Sequence, residues 1–251
     1  MLMPLAIDRN NPFPLPKDMN TLLWRYMSLA KFTSLLQTNQ LFLSRSDKLG
    51  DKFEGSLTRR HYKQTSMDGS SEAFRKGLRE KAYVSCWHAN EGESAAMWSL
   101  YGLSSGSVAV KTTYAQLMKV LPDMYVGSSK FYVGHVQYVD HEIADPVDVR
   151  NVISPFFHKH KSYSHEREFR VLFHAHGTSP SQIPSGADLP VGSSVSDGGL
   201  SVTICLRGLI ESVVVSPGAD PWFGMVVKGL LDKYCSGVAL KPSELDVTPY
   251  F

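Results

Sequence analysis

An arginine set among apolar residues is the first chemical oddity of this chain. Leu22–Met27 (LLWRYM) has the composition of a strand. Alternate side chains of a strand share a face, so Leu23, Arg25 and Met27 point one way and Trp24 and Tyr26 the other. A guanidinium in such company needs an anion, because an unpaired buried charge is costly. An internal carboxylate would make Arg25 a structural residue. A ligand phosphate would instead be gripped by the planar fork of the side chain. The second oddity is Glu166-Arg167-Glu168-Phe169-Arg170. Read as the start of a strand, it sets Glu166 and Glu168 on one side and Arg167, Phe169, Val171 and Phe173 on the other. Two carboxylates at a strand mouth suit a reaction that develops positive charge on a sugar. One stabilises the oxocarbenium-like centre and the other handles the acceptor. The competing reading makes Glu168 and Arg170 same-face partners in an exposed ion pair worth little.

Other residues carry weaker signals. Trp98 and Tyr101 are three apart on a short helix, Glu93–Tyr101, and can stack as neighbours. They serve either as core or as a sandwich for a flat heterocycle. Ser85 lies opposite Cys86 on the strand Ala82–His88 and can hydrogen-bond a ligand or its own backbone. Asp51 and Glu54 sit on a Gly-flanked loop, placed to cap a helix or to touch a ribose. His158-x-His160 and His174-x-His176 have a spacing that a metal can use on a strand, but no third ligand is evident and no metal is expected. There is no Walker loop, nucleophile elbow or H-E-x-x-H motif.

The elements that must position these residues are mixed. After Leu22–Met27, Ser28 can cap a helix in which Leu29, Phe32, Leu35 and Leu36 recur at helical spacing. Strands are expected at 41–44, 82–88, 107–111, 131–139, 167–174, 200–206, 210–216 and 238–241. Further helices are expected near 70–80, at 93–101 and 114–121, within 147–160, and at 221–234. The pattern predicts an α+β fold, and the absence of G-x-G-x-x-G between a strand and a helix disfavours a doubly wound dinucleotide-binding sheet. Residues 1–251 read as a single domain. Its proline-rich residues 1–20 form an extended lead-in rather than a core element, and residues 176–199 form a flexible Gly/Ser/Pro-rich loop.

Composition bounds the answer further. The chain has 251 residues, 43% hydrophobic and 20% charged, which excludes a disordered chain, a collagen-like repeat and a coiled coil. With 26 basic and 24 acidic side chains the net charge is +2, too small to argue for nucleic-acid binding by bulk electrostatics. Three separated cysteines exclude a disulfide scaffold and suit a reducing cytoplasm. The N-terminal residues lack the pattern of a signal peptide, and no apolar stretch approaches the ~20 residues that span a bilayer, so no membrane partner is expected.

Taken in order, the motifs resemble a bacterial family, domain of unknown function 2971. The matching stretches are Leu23-Trp24-Arg25-Tyr26, Phe32-Thr33-Ser34-Leu35-Leu36, Leu41-Phe42-Leu43-Ser44, Asp51-Lys52-Phe53-Glu54-Gly55, Val84-Ser85-Cys86-Trp87, Met97-Trp98-Ser99-Leu100-Tyr101-Gly102 and Glu166-Arg167-Glu168-Phe169-Arg170. The chain departs from the pattern at Lys52, where proline is expected. More remotely, the arrangement resembles the Arg–Ser–Glu layout of ADP-ribosyltransferases, including toxins that modify DNA. That resemblance implies a split, mostly antiparallel sheet with helices packed on it, and NAD as substrate. It implies that Arg25 holds the NAD phosphates or ribose and Ser85 seats the nicotinamide-ribose end. Tyr26, Trp98 and Tyr101 would complete the NAD site, with Trp98 or Tyr101 on the nicotinamide. Glu168 would stabilise the oxocarbenium ion, and Glu166 would orient or deprotonate the acceptor. Pro155–Tyr163 would be the acceptor-recognition loop, for a macromolecule such as DNA or RNA. The implied role is a cytoplasmic toxin or phage-defence protein, with an antitoxin or regulatory partner; an NAD glycohydrolase is the close variant. Two other classes stay open at this point. One is a non-catalytic nucleotide- or partner-binding module in which Arg25 and Glu168 pair structurally. The other is a metal-dependent nuclease built on Asp51, Glu54 or the histidines.

Overall fold

The computed structural model describes residues 11–64, 69–102, 106–123, 125–126, 128–143, 151–175 and 189–248. The first half of the chain runs β1 (Leu22–Ser28), α1 (Leu29–Thr38), β2 (Gln40–Arg45), α2 (Arg59–Gln64), α3 (Gly69–Glu80), β3 (Ala82–Ala89), α4 (Ala95–Tyr101), β4 (Ser107–Thr113) and α5 (Tyr114–Val120). The second half runs β5 (Tyr125–Val126), β6 (Ser129–His135), β7 (Gln137–Val139), β8 (His158–His160), β9 (Glu168–His174), β10 (Ser194–Ser196), β11 (Gly199–Thr203), α6 (Leu206–Leu209), β12 (Ser212–Val215), α7 (Pro221–Tyr234) and β13 (Ala239–Lys241). Helix starts follow their caps. Ser28 accepts from Lys31 N at 3.4 Å, and Thr113 with Gln116 forms a reciprocal capping box.

The fold is α+β, with a mostly antiparallel, split sheet and helices packed on it. Strand β3 makes the split. One edge pairs along its length with β9, from Ala82↔His174 to His88↔Glu168. The other edge is shared. β1 takes only its end, at Leu23↔Ala89 and Trp24↔His88, and β2 takes only its beginning, at Ser44↔Val84 and Arg45↔Tyr83. Between those contacts, at residues 85–87, β1 and β2 diverge.

The two faces of the sheet are packed differently. One carries a continuous core in which Leu23, Met27, Trp87, Phe169, Val171 and Phe173 meet α1 (Phe32, Leu35, Leu36), α5 (Tyr114, Leu117) and α7 (Phe223, Val227, Leu231). The other carries two smaller clusters. Trp24 and Tyr26 pack with Met97 and Trp98 of α4, while Val84 and Leu172 pack with Phe13, Phe156 and Phe157. Polar and charged residues of β3 and β9 (Cys86, His88, Glu168, Arg170) share this second face.

Several expected elements differ. The strand 131–139 is two strands, β6 and β7, in separate sheets; Val136 N bonds Glu168 O at 2.9 Å before the chain turns away. Residues 151–160 of the expected helix are instead a turn, a 3-10 helix at Ser154–Phe157 and β8, paired in parallel with β7. Pro155, Phe156 and Phe157 are all buried, which a helix with one apolar stripe does not provide. The lead-in is partly core. Phe13 is buried and stacks on Phe157 with ring centroids 3.7 Å apart, where a Cβ on Gly134 would lie 2.5 Å from that of Phe13. Of the loop expected at 176–199, residues 176–188 lie outside the described residues, and the rest forms a turn at 189–193, β10, a second turn at 197–198 and the start of β11.

Candidate functional site

A cavity of about 740 Å³ opens at the split. Its walls come from both sides of the sheet. Lys31, Ser34, Leu35 and Thr38 of α1 stand with Arg25 and Trp87, and Tyr101, Lys159, Glu166, Glu168 and Arg170 stand beyond. Arg25 shares the face of Leu23 and Met27, whereas Glu168 shares the face of Arg170 and Leu172. Side chains on opposite faces of an intact sheet cannot meet, so the gap between β1 and β2 is what lets one cavity collect both.

Arg25 is half-buried and has no carboxylate partner among the described residues. Its Nη2 donates to the Phe42 carbonyl at 2.9 Å, and its guanidinium lies 5.7 Å from the centre of the Trp87 ring. Burial pulls its pKa down, partly offset by the neighbouring Cys86 thiol. Among the described residues no carboxylate pairs with Arg25, and Glu168 in particular does not.

Glu168 is committed elsewhere, to a buried ionic network. Its Oε1 accepts from Arg170 Nε at 2.6 Å, and its Oε2 lies 3.4 Å from Lys159 Nζ. Arg170 is fully buried and also holds the Glu54 carboxylate and the Phe156 carbonyl. Lys159 bonds Glu166 closely, and Tyr101 donates to Glu166 Oε1 at 2.7 Å. The expected exposed Glu168–Arg170 pair is thus a same-face pair, but a buried one. Burial alone would raise the Glu168 carboxyl; Arg170 and Lys159 outweigh it and hold it at about 2. Burial likewise works against charge on Lys159, and Glu168 and Glu166 reverse that and raise its pKa. Three carboxylates (Glu54, Glu166, Glu168) face two cations (Lys159, Arg170). Burial pushes the Glu54 carboxyl up against the pull of Arg170.

Glu166 and Glu168 do not share a side through strand alternation. Glu166 ends a 3-10 turn (Lys161–Glu166), and Arg167 has φ 40°, in the left-handed region, before β9 begins. What brings the carboxylates together is their common contact with Lys159. His88 Nδ1 lies 2.6 Å from the Glu166 carbonyl and fastens that turn to β3. Burial lowers the pKa of His88.

Of the residues assigned to the site from sequence, Arg25, Tyr26, Tyr101, Glu166 and Glu168 line the cavity. Ser85 and Trp98 do not. Ser85 is buried, and its neighbours Cys86 and Trp87 line the cavity instead. Trp98 packs edge-on against Tyr26 at 4.8 Å and donates to Glu93 at 2.8 Å, so it serves the core behind the wall. The expected acceptor loop is mostly interior, with Pro155–Lys159 buried and Lys161 and Ser162 exposed. Asp51 Oδ1 accepts from Phe53 N at 2.8 Å, and Glu54 pairs with Arg170. Sequence reasoning missed Lys159 as a site residue, and it set Glu54 as a cap or ribose contact where the structure pairs it with Arg170. The one signal for the network was the alternation of Glu168 with Arg170.

The structure therefore defines a split α+β sheet with a cavity running through the split, lined by a guanidinium with no carboxylate partner among the described residues and by a buried carboxylate cluster. No family model and no curated protein matches the chain, so the likeness to domain of unknown function 2971 rests on the motifs alone. Among solved structures the chain is similar to Thermus sp. 2.9 DarT in complex with NAD+, with 8% identity and a TM-score of 0.42 over 92% of this chain and 99% of that one. It is similar also to the same protein in complex with carba-NAD+, with 9% identity and a TM-score of 0.42 over 93% and 100%. A likeness of this size assigns neither substrate nor activity. No helix of the described residues is long and apolar enough to cross a membrane, and no group of three or more His, Cys, Asp and Glu among them could hold a metal ion.

Proposed function

We propose that the chain is an NAD-consuming enzyme, an ADP-ribosyltransferase or an NAD glycohydrolase. The observation that carries this reading is a single cavity holding a guanidinium without a carboxylate partner and an ionised, buried Glu168. NAD+ combines an anionic diphosphate with a cationic nicotinamide ribose, and the two groups are complementary to it. Arg25 supplies the phosphate contact that its own environment leaves open. Trp24, Tyr26, Trp87 and Tyr101 supply aromatic walls for flat rings. The volume is within the ~300–1,000 Å³ usual for small-molecule sites.

In the reaction, the bond from ribose C1′ to the nicotinamide nitrogen breaks, and its electron pair leaves with nicotinamide. Positive charge builds on the ribose, and the buried Glu168 stabilises it electrostatically. Water or an acceptor nucleophile then bonds to C1′ and releases its proton to solvent. The acceptor is proposed to be a macromolecule reached from the exposed side of Lys161–His165, with a nucleic acid as the first candidate. A toxin or phage-defence role in the cytoplasm, checked by a partner protein and carried out by one domain, completes the proposal.

The test is incubation of purified protein with labelled NAD, alone and with DNA, RNA or cell lysate. Release of nicotinamide or transfer of label, lost in Glu168→Gln, is the expected outcome. Wild-type protein that neither shifts its melting temperature with NAD nor turns NAD over sinks the reading, and a nucleotide-binding or partner-binding module takes its place.

A further inference from the structure

The two glutamates at the cavity are held very differently. Both oxygens of Glu166 are engaged, Oε1 by the Tyr101 hydroxyl at 2.7 Å and Oε2 by Lys159. Glu168 has one oxygen tightly engaged, Oε1, by Arg170 Nε at 2.6 Å. Arg170 cannot move with a ligand, because its remaining nitrogens hold Glu54 and the Phe156 carbonyl. Glu168 Oε2 has the long contact to Lys159, 3.4 Å, with the Cys86 thiol, a weak donor, beside the carboxylate. Of four carboxylate oxygens, one is lightly held.

We infer that Lys159 is a positioning residue that anchors on Glu166 and leaves the Oε2 oxygen of Glu168 as the atom offered to the ligand. The inference rests on the proposed function and revises the role that the sequence resemblance implied for Glu166. Glu166 becomes the anchor of the ammonium rather than the base for the acceptor. Each of its oxygens already accepts a hydrogen bond, from Tyr101 or from Lys159, which fixes the carboxylate in place rather than leaving it to turn toward an acceptor. Lys159 reaches this position because β8, paired with β7, turns its side chain inward; it is buried, as are both carboxylates. The groups facing Glu168 are Arg170 on its own strand, Lys159 on β8, Cys86 on β3, Tyr138 on β7, Glu166 on the preceding turn and Glu54 on the loop before α2.

The experiment titrates Glu168 in ¹³C-glutamate-labelled protein by NMR, its resonance assigned by loss in Glu168→Gln, and measures NAD turnover alongside. Removing an opposite charge at this distance is expected to raise the titration of Glu168 by about one to three pH units in Lys159→Met, with Lys159→Arg restoring it. The acid limb of kcat/KM moves the same way. In Glu166→Gln, transfer to the acceptor and hydrolysis of NAD are expected to fall together. The inference is overturned if Glu168 titrates unchanged in folded Lys159→Met, or if Glu166→Gln abolishes transfer while sparing hydrolysis. Should Lys159→Met fail to fold, Lys159→Arg and Glu166→Gln decide it. A wild-type protein without NAD turnover sinks the proposed function, whereas the titration still decides whether Lys159 controls Glu168.

Discussion

Arg25 and Arg170 stand on opposite sides of the same cavity and live in opposite circumstances. Arg170 is completely buried and saturated, with Glu168, Glu54 and the Phe156 carbonyl around it. Arg25 is half-buried and has a single carbonyl and the face of Trp87. A guanidinium surrounded by carboxylates is part of the fold, and breaking it strands charges in a low-dielectric interior. A guanidinium that faces a cavity with its fork mostly free is available to a guest. The difference separates the wall that holds the protein together from the wall that meets the ligand.

The largest effect is expected where the network is cut. Arg170→Met leaves Glu54 and Glu168 without their shared cation and should cost about 3–5 kcal/mol of stability, read by urea or thermal unfolding. A stable Arg170→Met would mean that the two walls do not differ in kind. Next comes Glu168→Gln, which removes the charge but keeps the shape. A loss of about 10²–10³ in kcat for NAD, with folding intact, is the expected result, by analogy with the loss of one electrostatic stabiliser.

Arg25→Met sharpens the contrast from the other side. With one hydrogen bond to lose and a desolvation cost relieved, its stability should stay within about 1 kcal/mol of wild type. Its NAD affinity should fall at least tenfold, about 1.4 kcal/mol, in a calorimetric titration. Unfolding of Arg25→Met with no change in affinity would make Arg25 structural after all.

The smallest and most gradual effect is on acid stability. His88, His141 and His158 are buried, and burial lowers their pKa values, so each must gain a proton on unfolding once the pH falls below its ordinary value of 6.5. Their contribution is present above that pH and is lost as pH falls through it. Glu168, held at about 2 against an ordinary 4.5, contributes stability that is present above 4.5 and is lost as pH falls from there towards 2. Denaturation midpoints measured from pH 7 to 3 should therefore decline in two stages. A flat profile across the first stage would show that the histidines are not buried neutral.

Much of the fold was legible because local patterns and tertiary packing agree. The helix Pro221–Tyr234, the strand Leu22–Ser28 with its Ser28 cap, and the helix after it all follow from apolar spacing and capping. The basic and aromatic residues of Pro155–Tyr163 have the composition of a surface loop, yet Pro155–Lys159 are buried. Burial of Phe156 and Phe157 against Phe13 depends on a partner up to 144 positions away in the chain, which no window of sequence contains, and Lys159 meets Glu166 and Glu168, seven and nine positions on, because β8 pairs with β7 and turns it inward.

Strand alternation assigned Arg25 and Glu168 each to a face, and their side-chain types marked them as candidates. Sequence alone therefore determined which groups carry charge and which way each strand presents them. That β1 and β2 part from each other along β3, so that groups on opposite faces reach one cavity, is a matter of register between strands far apart in the chain. Pairing decided likewise that Arg170 is spent on carboxylates and Arg25 is not. A charge finds its partner through space, and the distances that rank the partners exist only once the sheet has formed.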